Sequence, residues 1–473
     1  MAALRVLFLL AGALSAQTLD LVFNQARVMD PLSGLDAIRH VGVRGGRIAV
    51  ISKTPLEGRR VIDASGLVLA PGFIDLHAHG QDLENQRLQA MDGVTTALEL
   101  EVGSGDVETW YREREGKRLI HSGVSAGHVP ARMRVLKDGG TGFVPSGEGA
   151  RRAATEEEIT AMKRSIERGL QQGGVGVGFG IQYTPAASRW EILEMFRVAA
   201  RFGAPAFVHI RHMGQTTPDA LTAVEEVIAA AAITGIGLHI VHITSSGLGQ
   251  APQLLQTIGE ARARGLPVTT ECYPYNAAMT ELQSVMFDPG WQKVLGIDVG
   301  SLEWAATGER LTAESFPRLR KQGGMVIMHM IPDNVMRLAV ASPGVLIASD
   351  GVIQGGKGHP RGAGTFARVL GRFVREQKAL SLMDALAKMS LLPAQRLEQY
   401  VPEMANKGRL HAGADADLVV FDAARIEDRA TFAQPDLASA GVRYLVVGGA
   451  LVVEESRLNG EARPGRAVRA RIQ

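Results

Sequence analysis

The sequence predicts an α/β chain: a (β/α)8 TIM-like barrel with a small β-sandwich built from both chain ends. Three observations predict it. Eight short apolar runs in the middle of the chain each precede a helix-like stretch. Alternating apolar runs joined by Gly-Gly turns occupy both ends. Histidines and carboxylates recur where the central runs stop.

At 473 residues the chain has length for one large domain and a smaller one. The expected layout is a signal peptide over 1–16, an N-terminal sandwich segment over 17–70, the barrel over 71–405 and a C-terminal sandwich segment over 406–473. The opening stretch MAALRVLFLLAGALSAQT has Arg5, an apolar stretch to about Leu14, then small residues before Gln17. That is the layout of a secretory signal cut after Ala16, and the run is too short to span a bilayer. The expected location is periplasmic or secreted, with the cytoplasm as the alternative if the segment is not a signal.

Next come LDLVFNQARVMD, HVGVRGGRIAVIS and RRVIDASGLVLAPG, whose Gly45-Gly46 reads as a hairpin turn. The texture returns near the end in ADLVVFDAA and VRYLVVGGALVVEE. Between them lie GFIDLHAH, VTTALELE, GVSAGH, VGVGFGIQY, PAFVHIRH, GLHIVHIT, PVTTECYPY and GVLIASDG, alternating with helical patterns such as WEILEMFRVAARFG. A ninth run, GGMVIMHMI, is one too many for the barrel and is assigned to an insertion between the seventh and eighth strands.

Charge is balanced, 51 Lys+Arg against 49 Asp+Glu, and no dense basic block suggests a nucleic-acid partner. The single cysteine, Cys272, excludes an intramolecular disulfide and is expected to pack inside.

The chemistry starts at PGFIDLHAHGQ. His77 and His79 stand two residues apart on a strand, so both imidazoles share one face. Alone, such a triplet is more often a hydrogen-bonded polar loop. The second strand adds Glu99 and Glu101, the fifth His209, the sixth His242 and the eighth Asp350. Taken together at one barrel mouth, these are the nitrogen and oxygen donors that Zn²⁺ or a similar divalent ion prefers.

These segments, with SDG followed by HPRGAGTF and the terminal ADLVVFD, resemble the amidohydrolase superfamily, and within it the N-acyl-D-amino-acid deacylases, or D-aminoacylases. The resemblance covers nearly the whole chain after residue 16. It implies a metal-dependent hydrolase of linear amides, with one or two Zn²⁺ or another divalent metal held by His77, His79, His209, His242 and Asp350. Hydrolysis of cyclic amides or isoaspartyl dipeptides is the alternative within the superfamily, and a non-catalytic binding barrel the alternative outside it.

Two departures stand out. Many superfamily members bridge two metals with a carboxylated lysine on strand four, and D-aminoacylases use a cysteine near the end of strand two. VGVGFGIQY has no lysine, and Glu99-Leu100-Glu101-Val102-Gly103 has no cysteine. Glu101, nearer the strand end, is the expected bridge, with Glu99 in reserve, since a carboxylate offers two hard oxygens. Where the family often has a lysine two residues after the strand-six histidine, this chain has Thr244.

Asp350 is the expected general base, moving a proton from water to the leaving nitrogen. Arg361 is the candidate for pairing a substrate carboxylate bidentately. The family places a substrate-contacting tyrosine at Tyr183. With that lysine missing, the expectation is either a different acyl derivative as substrate or a hold by Arg211 or Lys357. His128 and His359 are further polar candidates, and His239 backs the site without binding metal. The expected partner is a small N-acyl amino acid or related amide, with no nucleic acid and no stable membrane insertion.

Overall fold

The computed structural model describes residues 18–140 and 143–472. The expected signal, residues 1–16, lies outside the described residues.

Eight parallel strands pair in chain order. They are β1 (Phe73–Asp75), β2 (Val94–Ser104), β3 (His121–Gly127), β4 (Val177–Gly180), β5 (Ala206–His209), β6 (Leu238–Ile240), β7 (Val268–Cys272) and β8 (Val345–Ile347). Most are short apolar runs buried on both faces, as parallel strands under a coat of helices must be. The helix Glu156–Gln171 starts on a capping box made by Thr155 and Glu158, and buries Ile159, Met162, Ile166 and Leu170 at helical spacing. The helix Arg189–Phe202 stops at Gly203, whose φ of 64° satisfies the last carbonyls without a Cβ clash.

The ladder is open between β8 and β1, and contacts at the C-terminal rim close it. The Asp350 amide donates to the His77 carbonyl at 2.7 Å, and the His79 and Gly80 amides both donate to the Gly351 carbonyl at 3.0 Å. The buried Asp75 carboxylate accepts from the amides of His77 and Ser349. The two rim segments that carry His77, His79 and Asp350 are thereby tied together.

Between β7 and β8 the chain inserts an antiparallel sheet of Ala278–Glu281, Leu302–Trp304, Glu309–Arg310 and Met325–Met328. The ninth run of the sequence is its strand Met325–Met328.

Both chain ends meet in one nine-stranded sheet. Val68–Pro71 pairs in parallel with Leu19–Asp30 on one side and antiparallel with Leu418–Phe421 on the other. Phe23, Val28, Val41, Leu69, Val420 and Val446 form its separate core. Gly45-Gly46 and Gly448-Gly449 all have positive φ, as two-residue hairpins require, and the two turns touch: a Cβ on Gly449 would lie 2.7 Å from the Gly46 Cα. Buried Asp417 joins this sheet to the barrel through His121 Nε2 at 3.0 Å, Lys407 Nζ at 2.6 Å and the Gly448 amide at 2.7 Å. Among the described residues no helix is long and apolar enough to cross a membrane.

Candidate metal centre and active site

Glu101 occupies the middle of the barrel mouth. A register shift in the β2–β3 pairing, between Glu99 and Ser104, turns the end of β2 inward, as bulges near active sites commonly do. Glu101 Oε2 lies 3.1 Å from His77 Nε2 and 3.3 Å from His79 Nε2. Its Oε1 lies 2.7 Å from His209 Nδ1 and 3.5 Å from His242 Nε2. Asp350 Oδ1 completes the first group, 3.2 Å from His79 Nε2 and 3.5 Å from His77 Nε2. His77, His79, Glu101 and Asp350 each offer an atom within 4.8 Å of the others, and so do Glu101, His209 and His242.

Every imidazole has its other nitrogen held. His77 Nδ1 donates to Glu271 Oε1 at 2.6 Å, and His79 Nδ1 donates to Glu99 Oε2 at 2.7 Å. Gln182 holds His209 Nε2 at 3.2 Å and Ser246 holds His242 Nδ1 at 3.1 Å. With one ring nitrogen engaged in this way, the other is held pointing at the carboxylates. Four ring nitrogens and two carboxylates aimed at common points form a set that a borderline or hard divalent cation fits.

The backbone is unusual at two of these positions. His242 has φ 27° and Asp350 φ 52°, a region costly for side chains with a Cβ and concentrated at functional sites. Strand β4 contributes no anchoring side chain at Gly178, because a Cβ there would lie 2.4 Å from the Glu101 carbonyl oxygen.

Burial opposes ionisation of Asp350, yet Arg361 and His77 hold its carboxyl well below the usual range, so it remains an anion. Arg361 Nη1 is 2.9 Å from Asp350 Oδ2, and the guanidinium stacks on Tyr273 at 4.5 Å. Among the described residues, the buried Arg361 Nε has no hydrogen-bond partner. Tyr183 lies on the cavity wall with its hydroxyl 2.9 Å from Thr280 Oγ1. The cavity is lined by His79, Glu101, His209, His242, Asp350 and Arg361 on one side and by the inserted sheet on the other.

Two residues read as substrate contacts stand elsewhere. His128 is fully buried, its Nε2 2.8 Å from Glu191 Oε1, in a cluster completed by Arg132. Arg211 is tied to Glu226 at 2.6 and 2.9 Å and to the carbonyls of Pro185 and Ala187, beside a neighbouring cleft. In both cases a helix residue supplies a carboxylate that claims the cation or ring. Lys357 lies in an exposed hairpin, and His359 is buried with Nε2 3.1 Å from the Ala277 carbonyl oxygen. Thr244 is buried beside the site. His239 sits behind Glu271, 2.9 Å from its Oε2. Burial pushes the Cys272 thiol up to about 12, which keeps it protonated inside the barrel. Glu271, Gln182 and Ser246 are contributors that motif reading passes over. A buried glutamate in the otherwise uncharged strand β7 was the available signal.

Residues 60–126 and 123–453 match the amidohydrolase family, and the chain belongs to it. The N-acyl-D-glutamate deacylase of Alcaligenes xylosoxydans xylosoxydans is 31% identical, over 96% of this chain and 97% of its own. The D-aminoacylase of the same organism is 31% identical, over 94% of this chain and 97% of its own. Among solved structures, the N-acyl-D-glutamate deacylase from Bordetella bronchiseptica, complexed with zinc and a phosphonate mimic of the tetrahedral intermediate, aligns with a TM-score of 0.82. It is 28% identical and covers 96% of this chain and 100% of its own.

Proposed function

We propose that the protein hydrolyses the amide bond of N-acyl D-amino acids, using one or two divalent cations, zinc or a similar ion. His77, His79, Glu101 and Asp350 would hold one cation, and Glu101, His209 and His242 a second. The observation that carries this reading is Glu101, whose two oxygens each face a different pair of imidazoles. When bound, such an ion brings the pKa of water from about 15.7 toward about 7 and polarises a carbonyl.

Asp350 does the proton work. As an anion at the cavity wall it takes the proton of the attacking water and returns it to the leaving nitrogen, which is too basic to depart as an amide anion. Arg361, on the cavity wall, would pair a substrate carboxylate while its Nη1 steadies Asp350. Tyr183 limits how the substrate can lie. The secretory pattern of residues 1–16 supports action outside the cytoplasm, which fractionation of producing cells tests.

The deciding experiment loads purified protein with zinc, measures bound metal by elemental analysis, and assays N-acetyl-D-amino acids beside hydantoins and dipeptides. Turnover of the linear acyl compounds with metal bound is expected. A metal-loaded protein that opens hydantoins and ignores linear amides, or a chain that retains no metal, overturns the reading.

A further inference from the structure

We propose that the cavity selects N-acyl amino acids with an apolar side chain and turns away those with an acidic one. This rests on the deacylase reading above and specifies its substrate.

Six methionines line the cavity: Met213, Met279, Met286, Met325, Met328 and Met330. All but Met213 come from the insertion between β7 and β8, so the wall opposite the metal centre is largely thioether. A thioether is apolar and polarisable on an unbranched stem with three rotatable bonds, so it adapts to apolar groups of several shapes. It has no proton to donate to a carboxylate.

The ionisable groups on the wall act in the same direction. Among the described residues Arg361 is the cavity's only arginine or lysine, and it is already engaged with Asp350. A single guanidinium in that position can serve a substrate's α-carboxylate, and among the described residues the methionine side of the cavity offers no lysine or arginine for a second one. On the methionine side the ionisable neighbour is Glu281, which accepts from the Phe143 amide at 2.9 Å and from Gln283 Nε2 at 3.0 Å. An acidic side chain there would lose water, gain no cation and face a carboxyl group.

The test assays metal-loaded protein on N-acetyl-D-methionine, N-acetyl-D-leucine and N-acetyl-D-glutamate, with thermal-shift titration of the same compounds as the binding readout. The apolar compounds are expected to exceed glutamate in kcat/KM by at least about 100-fold. Adding a cation on the partly exposed region of the wall, by Met286→Lys or separately Met325→Lys, is expected to narrow that ratio at least about tenfold through a gain on glutamate. Glutamate turned over as fast as methionine overturns the proposal and leaves the deacylase reading intact. Failure on all three compounds, in binding and turnover, overturns both. A parallel series on D-methionine, from acetyl to hexanoyl, separates the two apolar ends of the substrate. If acyl length alone governs kcat/KM, the methionines hold the acyl chain and the side-chain assignment falls.

Discussion

Glu271 Oε1 lies 2.6 Å from His77 Nδ1, and its other oxygen lies 2.9 Å from His239 Nε2. All three side chains are buried along the barrel axis, and His239 Nδ1 continues the chain to Thr269 Oγ1 at 2.8 Å. A single carboxylate thus sets which nitrogen of His77 faces Glu101 and how the ring is turned. Glu271→Gln keeps the shape but weakens that hold, and is expected to lower metal affinity about 10- to 100-fold. Competition with a chromophoric chelator measures it, and unchanged affinity would show that packing alone orients His77.

The two glutamates of β2 have separable duties. Glu101→Gln removes the anion shared by four imidazoles and is expected to cut bound metal by at least about half. Glu99→Gln leaves Glu101 in place and alters the partner of His79 Nδ1 and of the Val102 and Gly103 amides. It is expected to retain metal stoichiometry with affinity reduced about tenfold or more. Elemental analysis of the two variants beside the parent decides between them.

Asp350→Asn preserves size and the backbone hydrogen bond to the His77 carbonyl while abolishing the proton acceptor. Turnover is expected to fall at least about 1000-fold, with metal largely retained and KM little changed. A kcat within about tenfold of the parent would transfer the base role to another group.

The Asp417 junction provides a pH test remote from the metal centre. His121 and Lys407 hold the Asp417 carboxyl well below its usual range against the opposing effect of burial, and Lys407 is itself raised by Asp417 and Asp415 despite burial. Glu403, raised by burial, is the other carboxyl near Lys407. A depressed carboxyl stabilises the fold above its unfolded pKa of about 3.9 and loses that contribution as pH falls through the lower folded value. A raised lysine contributes below its unfolded value of about 10.4 and loses it as pH rises past the folded one. Asp417→Asn is therefore expected to cost about 3 kcal/mol at pH 7, where it leaves a buried ammonium short of one partner. The gap in Tm between variant and parent is expected to hold from about pH 5 to 10 and to shrink below about pH 4. A gap that widens on acidification would contradict the assignment.

Much of this arrangement was legible in the sequence because strands impose a period of two and barrels collect function at one rim. His77 with His79, and Glu99 with Glu101, announced themselves by spacing. His209, His242 and Asp350 followed from their place at the ends of apolar runs. Choosing Glu101 over Glu99 followed from its place nearer the strand end, and the structure puts Glu101 centrally and Glu99 behind His79. His128 and Arg211 were not legible in the same way. Their partners, Glu191 and Glu226, lie on helices whose rotation about the barrel no local pattern encodes. The methionine wall was equally hidden, since its members come from several segments of an inserted sheet whose register sequence spacing does not give.

The end sheet has a temporal side. Val68–Pro71 is flanked by Leu418–Phe421, about 350 residues further along the chain. At about 5–20 residues per second, a ribosome needs roughly 20–70 s to supply that neighbour once the first strand is made. During that interval one edge of the early strands has no partner from the same sheet. Whatever machinery receives the nascent chain therefore meets it with an unfinished edge, and a delay in the last sixty or so residues leaves a sticky β-edge exposed rather than a merely shortened enzyme.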